Sequence, residues 1–230
     1  MRTTLVTFIA IASSVSIGAY AADREAKAID RIDASADTVH EMMSAPDKGV
    51  PKDLLDKARC VVVIPGMKKA GFIVGAKYGK GYAVCRKAGG HGWSAPAAYI
   101  LEGGSVGFQI GASEQDVILL VMNEGGMKHL LSDKFTLGGE ATAAAGPVGR
   151  DAEAQTDALM HAEILSYSRS RGLFAGISLQ GASLRPDHET DHELYGHDVT
   201  THDILTGPVK APVGAHKLDM ALNGQSNVRG

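Results

Sequence analysis

From Cys60 to Met122 the chain reads as one short β-branched or small-residue run after another, and glycine recurs inside them at Gly66, Gly71, Gly75, Gly79, Gly81, Gly103, Gly104, Gly107 and Gly111. Glycine inside a strand pattern marks a tight bend or the close approach of another backbone. Strands alternating with long helices, the pattern that builds a parallel sheet, are absent from this stretch. The pattern predicts an α+β fold: a Gly-rich, strongly curved, mostly antiparallel sheet, barrel-like, with N-terminal helices packed against it.

The same region carries the charge anomaly of the chain. Lys57 to Leu101 holds Lys57, Arg59, Lys68, Lys69, Lys77, Lys80, Arg86 and Lys87, and no Asp or Glu falls between Asp56 and Glu102. The whole chain has a formal charge of −3, too acidic for a general nucleic-acid binder. A local positive field on such a chain points to an anionic partner.

Met1-Arg2, the apolar run Leu5 to Ile17 and the small residues Ala19 and Ala21 have the pattern of a secretory signal peptide, Met1 to Ala21. Residues 22–206 then read as one domain and 207–230, rich in Pro, Gly, Asn and Lys, as a flexible tail. Export, to the periplasm or otherwise out of the cytoplasm, is an oxidising destination. Cys60 and Cys85 are the one cysteine pair, so a disulfide is expected there, with two buried thiols as the alternative. In the loop-entropy treatment a ring of ~25 residues stabilises by roughly 3 kcal/mol.

Between Asp23 and Ser44, Ile29, Ile32, Ala36, Val39 and Met43 recur at steps of three and four, which predicts a helix with one apolar face. A short helix is predicted at Lys52–Arg59 after Pro51. Cys60–Ile64 reads as a buried strand, and Gly79-Lys80-Gly81 as a hairpin loop between Gly71–Tyr78 and Tyr82–Arg86. Ala97–Leu101, Val106–Ile110 and Val117–Met122 read as three further strands. Asn123 is placed to cap a helix through Leu131, and Ala162–Arg169 and Leu173–Leu184 flank a second hairpin turn.

Other motifs carry less. Gly103-Gly104-Ser105-Val106-Gly107 matches G-x-S-x-G, but strand-like residues follow where a nucleophile turn needs a helix, so no catalytic residue is assigned. Phe135–Arg150 is small-residue-rich without the Lys-Ser/Thr ending of a phosphate loop. Asp187–Glu193 predicts an acidic helix with His188 and His192 one turn apart, a spacing a transition metal can use. It is more commonly a solvated face, and no metal or cofactor is assigned.

Several motifs together resemble a known family. Arg59-Cys60-Val61-Val62-Val63-Ile64-Pro65, Gly79-Lys80-Gly81, Gly92-Trp93-Ser94-Ala95-Pro96-Ala97, Val121-Met122-Asn123, Gly146-Pro147-Val148-Gly149-Arg150-Asp151 and Tyr167 to Gly176 are similar to the motifs of the SYLF domain, over about Asp23 to Ile204. The exported bacterial branch looks most similar. The resemblance implies a lipid-binding module rather than an enzyme; eukaryotic members bind phosphoinositides and some yeast members bind actin. Neither ligand belongs to a bacterial periplasm, and only the lipid-binding tendency is carried over.

The two lines converge on an exported protein that associates peripherally with anionic phospholipid. Lys68, Lys69, Lys77, Lys80, Arg86 and Lys87 are the expected headgroup contacts, Arg169 and Arg171 add charge, and Trp93 is expected at the interface. The alternative is a module for an envelope protein partner without lipid dependence.

Overall fold

The computed structural model describes residues 4–45, 49–87, 89, 92–148 and 161–226, with side chains from residue 22 onward except at 72–74 and 105–111. A long helix α1, Thr4–Ser44, is followed by the short α2, Lys52–Lys57. Two very long strands come next, β1 (Cys60–Cys85) and β2 (Ala97–Val121), then the helix α3 (Glu124–Leu130). The strands β3 (Phe135–Thr136), β4 (Ala143–Ala145), β5 (Ile164–Ser170), β6 (Leu173–Gly176) and β7 (Ala182–Pro186) complete the sheet. The helices α4 (His188–Tyr195), α5 (Thr201–Thr206) and α6 (His216–Gln225) close the chain.

β1 and β2 pair antiparallel from Cys60↔Val121 to Ala83↔Ala97, with register shifts after Ile64 and Gly71. A straight strand of 26 residues would span about 85 Å. The Cα atoms of Cys60 and Cys85 are nevertheless 3.9 Å apart, and the two residues form a disulfide. β1 therefore doubles back on itself, and the backbone N–H of Arg86 donates to the carbonyl of Arg59 at 2.8 Å.

Two glycines make the doubling possible. A Cβ on Gly81 would lie 1.9 Å from the carbonyl oxygen of Val63, and one on Gly79 would lie 2.5 Å from the Ile64 side chain. Residues 60–67 and 79–85 thus run past each other in opposite directions. The residues between them, with their partners on β2, form a bent two-stranded arc. The other strands add outward, with β7 beside the first part of β2 and β5 beside its last part; β4 pairs parallel to β5, and β3 and β6 lie at the margins.

Alternation along the doubled strand fills two cores. Val61, Val63, Tyr82 and Val84 face α1 and α6, meeting Ala28, Ile32, Val39, Met42, Leu218 and Leu222. Cys60, Val62, Ile64 and Cys85 face the opposite way, toward Leu130, Phe135, Ile204 and Leu205. A strand buried on both faces reads as a continuous apolar run, which is why Cys60–Ile64 has no polar positions. The Tyr82 hydroxyl donates to the Ala28 carbonyl at 2.8 Å and fixes α1 on the sheet.

An acidic cluster anchors α4. Asp187 caps it, accepting from the Thr190 hydroxyl at 2.8 Å, and the buried Asp191 accepts from the backbone N–H of Ala98 on β2 at 2.7 Å. Burial pushes the Asp191 carboxyl up to about 7, helped by the charge on Asp187 and opposed by the Ala98 hydrogen bond. Burial acts the same way on Asp187, but its bonds to Lys80 and Thr190 and the Lys80 charge hold it below the ordinary carboxylate range.

Several expectations hold: the curved, mostly antiparallel sheet with helices against it, the disulfide, α2, the Asn123 cap (which accepts from Gly126 N–H at 3.0 Å) and the hairpin turn after β5, although its second arm ends at Gly176 and the rest of the expected Leu173–Leu184 run leads into β7, which pairs with β2. Others are corrected. Gly79-Lys80-Gly81 is no loop, because the strand continues through it at the crossing. The three strands expected from Ala97 to Met122 are one, since β2 follows β1 around the whole arc. The segment expected as a flexible tail contains α6, whose Leu218 and Leu222 are buried and whose Lys217 pairs with Asp33 of α1 at 2.5 Å. Residues 1–3 and the motif positions 149–151 lie outside the described residues, as do the side chains of the expected leader through Ala21.

Two measurements check these constraints. Gly81→Ala is expected to destabilise by about 3 kcal/mol or more, or to prevent folding, because the obstacle is backbone that cannot yield. Gly104→Ala, with open space around its Cβ, is expected to stay within about 0.5 kcal/mol of wild type in urea denaturation. For Asp191 the folded-state pKa lies above the ordinary 3.8, so its stabilising contribution is full below about pH 4 and is lost as the pH rises through about 7. Asp191→Asn keeps the acceptor for Ala98 and is expected to remove that loss, which is on the order of 4 kcal/mol across the window. Parallel pH profiles for the two proteins would contradict the assignment.

Candidate functional site

The basic residues singled out in the sequence separate into three places. Lys68, Lys69 and Lys77 lie on the arc, in register with Glu114, Ser113 and Gly103 of β2. Lys68 is exposed, and Lys69 and Lys77 are half-buried. Burial lowers the Lys77 pKa, and the nearby charge of Lys69 lowers it further. Among the described residues none of these three ammonium groups makes an ion pair with a carboxylate. Like charges that disfavour one another and form no ion pair favour an anion in their neighbourhood.

Arg171 joins this group through the sheet. Arg169 on β5 faces Asp116 on β2, and the Ser170 hydroxyl donates to the Glu114 carbonyl at 3.2 Å. The β5–β6 turn is therefore beside Glu114 and one strand removed from Lys68. Arg169 itself is occupied: it pairs with Asp116 at 2.6 Å and with Glu41, tying α1 to the sheet. Asp116 also accepts from the Gly66 N–H at 2.9 Å, where β1 begins to bend.

Lys80 is likewise taken up by the fold. Its ammonium lies 2.7 Å from Asp187, so the strand crossing and the cap of α4 share one ion pair. Arg86 and Trp93 are at the far end, beside the disulfide. The Arg86 guanidinium stacks 4.4 Å above the Trp93 ring and donates to the carbonyls of Ala58 and Leu55 and to the Ser226 hydroxyl. Trp93 is 2% exposed, which corrects the expectation that it sits at an interface. The ring packs in the core under α6, and its cation is internal. Lys87 is exposed, on a groove of about 1440 Å³ that Lys57, Arg59 and Lys210 also line.

Residues 103–107, the G-x-S-x-G match, lie within β2, so no turn from strand to helix presents Ser105, whose side chain lies outside the described residues. His192 Nδ1 sits 2.9 Å from Asp198, and no group of three or more potential metal ligands occurs among the described residues. The sequence reading missed Asp187 and Asp191, although an Asp before an acidic helix signals a cap. It also missed Leu173, which is exposed next to Arg171 and which periodicity alone assigns to a strand interior.

Comparison with known proteins adds a relationship. The family description "Ysc84: Las17-binding protein actin regulator" matches residues 102–225. SH3 domain-containing YSC84-like protein 1 of Rattus norvegicus is 37% identical over 181 residues, covering 78% of this chain and 53% of the relative. The Homo sapiens protein of that name is 36% identical over 176 residues, covering 76% and 51%. LAS seventeen-binding protein 3 of Saccharomyces cerevisiae is 32% identical over 183 residues, covering 78% and 39%. The chain spans about half the length of the first of these curated relatives. The family description and the name of the Saccharomyces cerevisiae relative each denote a binding protein.

Proposed function

This chain belongs to the Ysc84 (SYLF) family, and we propose that it is an exported, peripheral membrane protein that binds anionic phospholipid through the basic arc of β1. The observation that carries the reading is that Lys68, Lys69 and Lys77 all lie on the arc of β1 and none of them forms an ion pair with a carboxylate among the described residues. Phosphate headgroups supply the missing counter-charge, and each lysine near an anionic surface contributes about 1 kcal/mol. The contact is electrostatic, so it weakens as salt shortens the Debye length below about 10 Å.

The sequence pattern of a leader supports an exported location, where phosphatidylglycerol and cardiolipin are anionic lipids of the expected kind. A protein partner is the second reading, favoured by the binding role printed in the family description and in the name of the yeast relative. It predicts indifference to lipid.

Exchanging Lys68, Lys69 and Lys77 together for Gln is expected to weaken co-sedimentation with phosphatidylglycerol vesicles on the order of 100-fold at low salt. Lys87→Gln, at the opposite end, is expected to leave binding unchanged. Equal binding by the triple variant would remove the arc from the account, and no binding by the wild type would favour the protein partner.

A further inference from the structure

The fold leaves a leucine in water beside the basic arc. Leu173 is 75% exposed, at the start of β6, where it pairs with Ser170 across a turn of two residues, Arg171 and Gly172. Both turn residues have positive φ, 50° and 76°. Two-residue hairpin turns with positive φ at both positions favour Asn, Asp or Gly at the first. An arginine there bears a steric penalty that asparagine largely escapes. The position thus holds a long cationic side chain at a cost to the fold, next to an apolar one that is largely exposed.

This turn lies on the edge of the sheet that carries Lys68. Ser170 is bonded to Glu114, and Glu114 is in register with Lys68. The neighbouring Asp116 is already held by Arg169. An exposed apolar side chain two residues from Arg171, on the edge that also carries Lys68, matches the boundary of an anionic bilayer, where phosphates lie above acyl chains. A protein surface complementary to it would need an acidic rim around an apolar hole.

We infer that the Arg171-Gly172-Leu173 turn is a membrane wedge: Leu173 enters the boundary between headgroups and acyl chains while Arg171 engages phosphate. The inference rests on the lipid reading above and assigns the apolar part of that contact, which the arc lysines do not supply. It also sets the orientation, with the disulfide end and the Lys87 groove directed away from the bilayer.

The test uses the full chain with phosphatidylcholine vesicles, with and without phosphatidylglycerol. Leu173→Ser is expected to weaken binding to the anionic vesicles roughly tenfold at unchanged thermal stability. Arg171→Asn is expected to weaken binding about fivefold while keeping or raising the melting temperature, since asparagine suits the turn. That opposition separates a binding role from a structural one. The indole introduced by Leu173→Trp is expected to shift its emission to the blue on anionic vesicles and to be quenched by brominated acyl chains, against the buried Trp93. Wild-type binding with both variants binding equally and no quenching would overturn the wedge and leave the lysine face standing. Failure of the wild type to bind anionic vesicles would overturn both.

Discussion

Everything else in this structure depends on the contact between Gly81 and the Val63 carbonyl, where β1 crosses its own path. A strand buried on both faces cannot turn back unless two backbones approach more closely than side chains allow. Glycine at 79 and 81 provides that approach, and the Cys60–Cys85 disulfide joins the two ends beside it. Once β1 is doubled, its alternating side chains define two cores, one roofed by α1 and α6 and the other by α3 and α5. The remaining strands add to the outer margins of β2, and the middle of the β1–β2 ladder is left as an arc away from the crossing.

The doubling also divides the charges. One cation at the crossing and one at the disulfide end have internal work: Lys80 holds Asp187, and Arg86 bonds two carbonyls and covers Trp93. Arg169 spans from Glu41 to Asp116. Lys68, Lys69 and Lys77 on the arc make no such ion pair among the described residues, although Lys68 lies across from Glu114. A stretch that is uniformly basic in sequence thus becomes part scaffold and part surface. The same division separates a well-packed body from the edge proposed to meet lipid, so substitutions on the arc act on binding with little effect on folding.

Much of the architecture was legible in the sequence because it follows from local chemistry. The apolar face of α1, the continuous run 60–64, the Asn123 cap and the cysteine pair each follow from residue type and spacing. Strand continuity was not legible. Gly79-Lys80-Gly81 has the composition of a turn, and only the contact with Val63 and Ile64, some fifteen residues away in the chain, shows it to be a crossing. The order of α6 was hidden for a similar reason, since a Pro- and Gly-rich approach conceals a helix whose two leucines are fixed by α1. For the site, charge clustering located the right segment but could not say which cations the fold would consume. Asp187 and Glu41 lie more than a hundred residues from Lys80 and Arg169, respectively, and tertiary pairing alone decides the matter.

Hydrogen–deuterium exchange of the full chain, with and without phosphatidylglycerol vesicles, addresses the central claim most directly, because it reports which end of the molecule meets the bilayer. Slower exchange along the arc of β1, its β2 partners and the β5–β6 turn, with no change around Lys87 and Lys210, is the predicted result. Protection confined to the groove at the disulfide end, or no protection anywhere in the chain, would contradict it.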